Sequence, residues 1–215
     1  MAVYAVVPVK HLATSKRRLS PILTPKDRGK LTLVMLEDVL SAIKASTAQK
    51  ILVVGSDIAV RELANTFGAI YTNEETTGLN TAVTDSIDWC MRKGADSVLV
   101  LPADIPMISP EDINTIIKLG NYSESTVVLS PSNNGGTNAL FQKPPQLILA
   151  RFGPKSFDKH IKQARDKGIP LKLHYSSSVA FDIDSEQDVK RLLETQNNTL
   201  SKKFLAQVLQ TRKAF

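Results

Sequence analysis

The sequence predicts an α/β fold in three layers, a mostly parallel central sheet with helices on both faces. Apolar, β-branched runs recur between amphipathic segments, at Val3 to Val9, Lys50 to Val54, Ala69 to Thr72, Ser97 to Leu101 and Thr126 to Leu129. Such alternation marks strands joined by crossover helices. The run after Ser97 is apolar without a break, which suits a strand buried on both sides in mid-sheet. With 215 residues, 42% of them hydrophobic, the chain is long enough for one sizeable core, and a single domain over 1–215 is expected.

Each element follows from local signals. Met1-Ala2-Val3-Tyr4 runs straight into the first strand, with no charged, apolar or cleavage-site segment of a secretion signal. Apolar stretches fall short of a bilayer span, so a cytoplasmic protein without membrane contact is expected. At Thr24-Pro25 the threonine can cap a helix and the proline fits its first position, and Leu31, Val34, Met35 and Val39 then repeat at helical spacing to near Ala45. Ser56 is read as the cap of a helix from Asp57 to Phe67 closed by Gly68. Leu79 to Arg92 forms another, ended by Gly94, and Ser109-Pro110-Glu111-Asp112 opens a third. Beyond residue 130 come a polar Ser-Asn-Gly loop, a short strand near Asn138 to Gln142 and a helix after Gly153-Pro154. Strands near Leu171 to Tyr175 and Val179 to Ile183 then precede a helix from about Ser185. After the linker-like Gln196-Asn197-Asn198-Thr199, a helix of about 199–213 places Leu200, Phe204, Leu205 and Val208 on one face. That face is expected to pack on the domain or on a second subunit of a homodimer.

The net charge of +6 and the pI near 9.4 favour anionic partners without choosing among nucleic acid, nucleotides and phosphorylated metabolites. The charge is concentrated: Lys10, Lys16, Arg17, Arg18, Lys26, Arg28 and Lys30 face the single acid Asp27. On charge alone a solvated basic face explains them equally well. The lone Cys90 excludes an internal disulfide and reads as a buried thiol. There is no G-x-x-x-x-G-K-[ST] loop, no G-x-G-x-x-G after the first strand and no paired Cys/His spacing. His11, His160 and His174 do not cluster in sequence or flank a Ser or Cys nucleophile, so covalent catalysis is not expected.

Six constellations remain. The strand ending in Val7-Pro8-Val9-Lys10 leads into about a dozen loop residues carrying Lys16, Arg17 and Arg18, longer than a usual strand-to-helix turn. Ligands of open α/β sheets bind at the C-terminal strand ends, where these cations would lie beside a triphosphate. In Leu101-Pro102-Ala103-Asp104-Ile105-Pro106, two prolines fix a carboxylate at a strand end, a suitable ligand for Mg²⁺, although a turn role also fits Asp104. In Phe181-Asp182-Ile183-Asp184, both carboxylates would face one cation if the segment were a strand, while Asp184 can alternatively cap the next helix with Gln187 in the capping-box position. The loop Ser130 to Asn138, with its Gly135-Gly136 pair, allows close approach of a ligand. Ser156, in the first turn of a helix, offers a hydroxyl and free N–H groups to a second anion, with ordinary capping equally good. Asn80, after Thr76-Thr77-Gly78-Leu79, can contact a base or simply cap a helix.

Lys10 with Lys16 to Leu19, the Leu-Pro-Ala-Asp-Ile-Pro segment, Gly135-Gly136-Thr137-Asn138-Ala139-Leu140, Phe-Gly-x-x-Ser-Phe at 152–157 and Asp182-Ile183-Asp184 together resemble the 2-phospho-L-lactate guanylyltransferases of coenzyme F420 biosynthesis. The likeness runs to about residue 195. Its first two motifs are shared with the wider nucleotidyltransferase superfamily, molybdenum-cofactor guanylyltransferases included. The resemblance implies a Rossmann-like three-layer fold of the nucleotide-diphospho-sugar transferase type. It also implies transfer of GMP from GTP to 2-phospho-L-lactate, giving lactyl-2-diphospho-5′-guanosine and pyrophosphate. By the same carry-over Asp104, Asp182 and Asp184 hold Mg²⁺, Thr137, Gly153 and Ser156 contact the phosphorylated hydroxy acid, and Lys10, Lys16 and Arg18 serve the triphosphate. The chain departs from the superfamily in lacking its glycine-rich first loop and in placing Asn133-Asn134 where an acid often precedes the Gly pair. Phosphoenolpyruvate, 3-phosphoglycerate or a molybdopterin are alternative acceptors. A nucleic-acid-binding module is the alternative of another class, disfavoured because the cations gather in one loop without interleaved aromatics.

Overall fold

Hydrophobic strands that must be covered on both faces place the core, and seven of them form one sheet in the order β3-β2-β1-β4-β6-β5-β7. The computed structural model describes residues 2–73 and 78–213. Along the chain, β1 (Val3–Pro8), α1 (Pro25–Lys44), β2 (Lys50–Gly55), α2 (Ile58–Thr66), β3 (Ile70–Asn73), α3 (Leu79–Arg92), β4 (Ser97–Val100) and α4 (Pro110–Gly120) build the first half. Then follow β5 (Thr126–Pro131), β6 (Thr137–Lys143), α5 (Ser156–Asp166), β7 (Leu171–Leu173), α6 (Glu186–Glu194) and α7 (Leu200–Lys213). Neighbours pair in parallel except that β6 runs antiparallel to both β4 and β5. β4 lies mid-sheet, as its unbroken apolar run predicts, and all four of its residues are buried.

The alternating side chains of each strand divide the core in two. Val3, Ala5, Val7 and Leu99 meet Leu36, Val39, Leu40 and Ile43 of α1, Val60 of α2 and Ile113 and Ile116 of α4 on one face. Tyr4, Val6, Val98 and Val100 meet Val83, Ile87 and Cys90 of α3 and Ala164 of α5 on the other. A third cluster lies off the sheet, where Leu31 and Met35 of α1 pack with Leu19, Phe181, Ile183, Val189 and Leu192, and with Phe204 and Leu205 of α7. Asp38 of α1 fixes the start of α7, its carboxylate accepting from the N–H groups of Leu200 and Ser201 and from the Ser201 hydroxyl. Among the described residues no helix is long and apolar enough to cross a membrane.

Helix starts follow the chemistry of their caps. Thr24 and Ser109 each close a reciprocal capping box with the aspartate three residues on, and proline occupies the first turn. Three expectations need correction. α2 is capped at Asp57 rather than Ser56, and the Asp57 carboxylate turns away to accept from the N–H of Leu12, pinning the basic loop. α6 is capped by Ser185 with Asp188 in the capping box, so Asp184 is not the cap. Val179 to Ile183 is not a strand. Its backbone bonds go to separate loops, Ala180 O accepting from Asn133 N and Ile183 N donating to Asp104 O, while Phe181 and Ile183 fill the third cluster instead of a sheet face.

Candidate active site

The C-terminal ends of β1 and β4 and the N-terminal start of β6 meet at one rim of the sheet, because β6 is antiparallel. The loop after β1 reaches this rim through two short 3-10 turns, Leu12–Thr14 and Arg17–Leu19. It is more than a solvated connection. Leu19 and Leu23 are fully or almost fully buried, and Thr32 of α1 donates to the Ser15 hydroxyl. Between the two turns Lys16 takes a left-handed backbone conformation, φ 49°, which a residue with a Cβ adopts at a cost of about 1 kcal/mol or more. The result is that the side chain turns inward: Lys16 Nζ donates to Asp104 Oδ2 at 2.6 Å and to Asp184 Oδ1 at 2.8 Å, with its side chain only 7% exposed. Lys10, Arg17 and Arg18 remain exposed.

Burial opposes the Lys16 charge, but Asp104 and Asp184 outweigh it and hold the ammonium above the ordinary lysine range. Asp184 moves the other way: against the effect of burial, Lys16 foremost, then Lys10 and Arg18, lower its carboxyl. Asp182 is raised, first by burial and then by the charges of Asp104 and Asp184, while the Asn138 amide donates to it at 3.4 Å. The three carboxylates thus share one neighbourhood. Among the described residues, however, no three His, Cys, Asp or Glu side chains already stand as a metal cage. Like charges this close repel, and Lys16 relieves two of them by standing between them.

Beside this cluster, Pro8, Val9, Lys10 and His11 line an open cavity of about 240 Å³ with Thr14, Val54, Gly78, Leu79 and Ala82. Asn80 lies one residue from its wall, yet its amide is engaged elsewhere, accepting from Phe152 N at 2.7 Å and donating to Phe152 O at 3.2 Å. The structure therefore makes Asn80 a tie between α3 and the loop before α5. Thr76 and Thr77 lie outside the described residues. At the start of β6, Thr137 is 5% exposed, whereas Ser156 is wholly buried. The Ser156 N–H goes to Gly153 O and its hydroxyl donates to Thr137 Oγ1, so the expectation of free groups at Ser156 gives way to a residue standing behind Thr137. Gly153 is exposed with φ 118°, a conformation that favours glycine.

Sequence reasoning missed two groups. His160 is fully buried and bonded to Thr137, although its place four residues after Ser156, on the same helix face, was a usable signal. Asp112 receives His174 at 3.3 Å, the Ser178 hydroxyl, and the Ser109 hydroxyl at 3.0 Å. Against the effect of burial, these donors and Ser176 hold its carboxyl well below the usual range. This Ser/His/Asp meeting is not a nucleophile arrangement, because Ser178 donates to the carboxylate and not to the imidazole. It ties the loop carrying Asp182 and Asp184 to the helix that follows Asp104.

The guanylyl transferase CofC-like family model matches residues 3–213. The chain belongs to this family. It is 38% identical to the phosphoenolpyruvate guanylyltransferase of Rubrobacter xylanophilus over 192 residues, 89% of this chain and 94% of that protein. To the 2-phospho-L-lactate guanylyltransferase of Methanothermobacter thermautotrophicus it is 34% identical over 206 residues, covering 95% of this chain and 90% of that one. A crystal structure from Desulfovibrio desulfuricans, assigned to the nucleotide-diphospho-sugar transferases, superposes with a TM-score of 0.81 over 98% of both chains at 13% identity, which establishes the fold. Membership makes the protein a nucleotidyltransferase of guanylyltransferase type.

Proposed function

We propose that the protein transfers GMP from GTP to 2-phospho-L-lactate, releasing pyrophosphate, at the rim formed by β1, β4 and β6. One observation carries this reading: a buried lysine from the basic loop bridges Asp104 and Asp184, and the cavity that Lys10 lines and the Thr137 start of β6 lie at the same strand ends. The cavity takes the nucleoside, and Lys10, Arg18 and a repartnered Lys16 receive the triphosphate. Thr137 and the Gly153 loop face the acid.

The donor set suits a hard divalent cation such as Mg²⁺: the ligands are carboxylate oxygens, and after burial the charges of Asp104 and Asp184 raise the Asp182 carboxyl, a repulsion that a cation would relieve. Asp104, Asp182 and Asp184 would hold it together with phosphate oxygens. Bound there, it supplies neutralisation of the charge on the transferring phosphoryl group. The chain's own groups do the rest. Lys16 leaves its carboxylates for the phosphates, and Lys10 and Arg18 oppose the charge developing on the leaving pyrophosphate. A phosphate oxygen of the acid attacks the α-phosphorus in line, forming the new P–O bond as the bond to the β-phosphate breaks. The attacking oxygen is already ionised at neutral pH, so positioning replaces a strong general base.

Phosphoenolpyruvate is a second acceptor to consider, favoured by the higher identity to a relative named for it, 38% against 34%. The test is pyrophosphate release from each nucleoside triphosphate with Mg²⁺ and each phospho-acid in turn. GTP with 2-phospho-L-lactate should give the fastest release. Faster release with phosphoenolpyruvate would transfer the assignment to that acid, and none from any pair would refute the reading. Asp104→Ala should lower turnover on the order of a hundredfold or more without changing the circular dichroism spectrum, and unchanged turnover would remove Asp104 from the site.

A further inference from the structure

Hydrogen-bond accounting around His160 fixes the polarity of Thr137. The Arg151 N–H, which can only donate, points at His160 Nε2 at 2.9 Å, so that nitrogen carries its lone pair. Burial, with Lys159 adding to it, pushes the imidazole down to about 4, and it is neutral in neutral solution. A neutral ring with a bare Nε2 bears its proton on Nδ1, which lies 2.9 Å from Thr137 Oγ1 and donates to it. The Ser156 hydroxyl donates to the same oxygen at 3.2 Å. Both lone pairs of the threonine oxygen are then filled, and its own proton can only be given away. Among the described residues no acceptor takes that proton.

We infer that His160 is a positioning residue that makes Thr137 an obligate hydrogen-bond donor toward the acceptor substrate, so that this point of the pocket selects an accepting oxygen, best an anionic phosphate or carboxylate oxygen, over a group that can only donate. The inference rests on the reading of Thr137 as part of the acceptor site. His160, wholly buried, does not touch the substrate. It is itself held in place: Phe152 packs edge-on against it with centroids 5.4 Å apart, and Asn80 of α3 grips the Phe152 backbone in both directions. The orientation of the acceptor-side hydroxyl is thus tied to the helix that borders the cavity on the nucleotide side. Reversing the imidazole tautomer would leave Arg151 N–H facing another N–H and would ask Thr137 to donate inward, losing its bond to the acid.

Two substitutions separate this role from simple support. Asn at 160 places an amide N–H near the Nδ1 position and can still donate to Thr137, while Gln reaches the Nε2 position, satisfies Arg151 and leaves Thr137 without that donor. With GTP and either 2-phospho-L-lactate or phosphoenolpyruvate, His160→Gln should raise KM for the acid roughly tenfold to a hundredfold and leave KM for GTP unchanged. His160→Asn should stay within about threefold of the wild type. Nitrogen-15 spectra of the unaltered protein should show His160 Nδ1 protonated and Nε2 bare. The opposite tautomer, or equal effects of the two substitutions on acid KM, overturns the inference. The acceptor-site reading fails separately, and the inference with it, if Thr137→Val leaves acid KM unchanged while Thr137→Ser does the same.

Discussion

Lowering the pH from about 7 to about 5 is expected to weaken the fold through His160. Burial is the larger cause and Lys159 the smaller of a value depressed from 6.5 to about 4. The unfolded chain takes up this proton near the ordinary value, whereas the folded protein resists until about pH 4. Between those limits the unfolded state binds more protons, so stability falls as pH falls. The whole interval corresponds to about 3 kcal/mol, and linkage leaves about 2 kcal/mol of that lost at pH 5. Against a total stability on the order of 5–15 kcal/mol, this is large enough to measure. Urea unfolding of the wild type and of His160→Asn at both pH values isolates it, because every other titrating group is common to the two proteins and cancels in the double difference. Equal pH-dependent losses in the two proteins would refute the neutral, buried imidazole.

Lys16→Met should lower kcat/KM for GTP by roughly two to three orders of magnitude, since it removes a buried charge from both carboxylates and phosphates; a loss under about threefold would take Lys16 out of the site. Gly120→Ala should destabilise the protein by about 1–3 kcal/mol or more in urea titrations, because the added methyl would overlap the fully buried ring of Phe141, and an unchanged midpoint would contradict that packing. The Cys90 thiol, pushed up to about 12 chiefly by burial, should stay silent to a water-soluble disulfide reagent at about pH 8 and react fully once the protein is denatured; prompt reaction of the native protein would show the helix α3 face to be open.

Much of the fold was legible because its signals are local. Thr24-Pro25 and Ser109-Pro110 carry a cap, a first-turn proline and a reciprocal acid within four residues, and the helices start there. The unbroken apolar run of β4 announced burial on both sides. Val179 to Ile183 misled for a physical reason: its alternation is real, but Phe181 and Ile183 are buried against α1, α6 and α7, so apolar periodicity reported burial without reporting which surface provides it. Asp184 was open to reading as a cap because Gln187 stands three residues on; the rival pair, Ser185 with Asp188, uses the same spacing one residue later. Site residues were visible by chemical type, as with Asp104 between its prolines, but their pairing was not. Lys16 and Asp184 are 168 residues apart in sequence and meet only in the fold. His160 was passed over although its spacing from Ser156 puts both on one helix face, and Gly120 because one flat contact with Phe141 leaves no pattern in the sequence.

The reversal of β6 has a consequence for how two substrates share one edge. Its seven residues span about 20 Å. Had the strand run with its neighbours, Thr137 and Asn138 would begin at the opposite edge of the sheet, that distance from Asp104, and a crossover connection would be needed to bring a binding loop back. By turning once, the chain lets β5 deliver the Gly135-Gly136 hairpin and β6 depart from it at the same edge where β1 and β4 end. Under the proposed function, donor and acceptor halves could therefore diverge separately: changes in the loop after β1 would retune the nucleotide, and changes between β5 and α5 would retune the acid, with the carboxylates common to both.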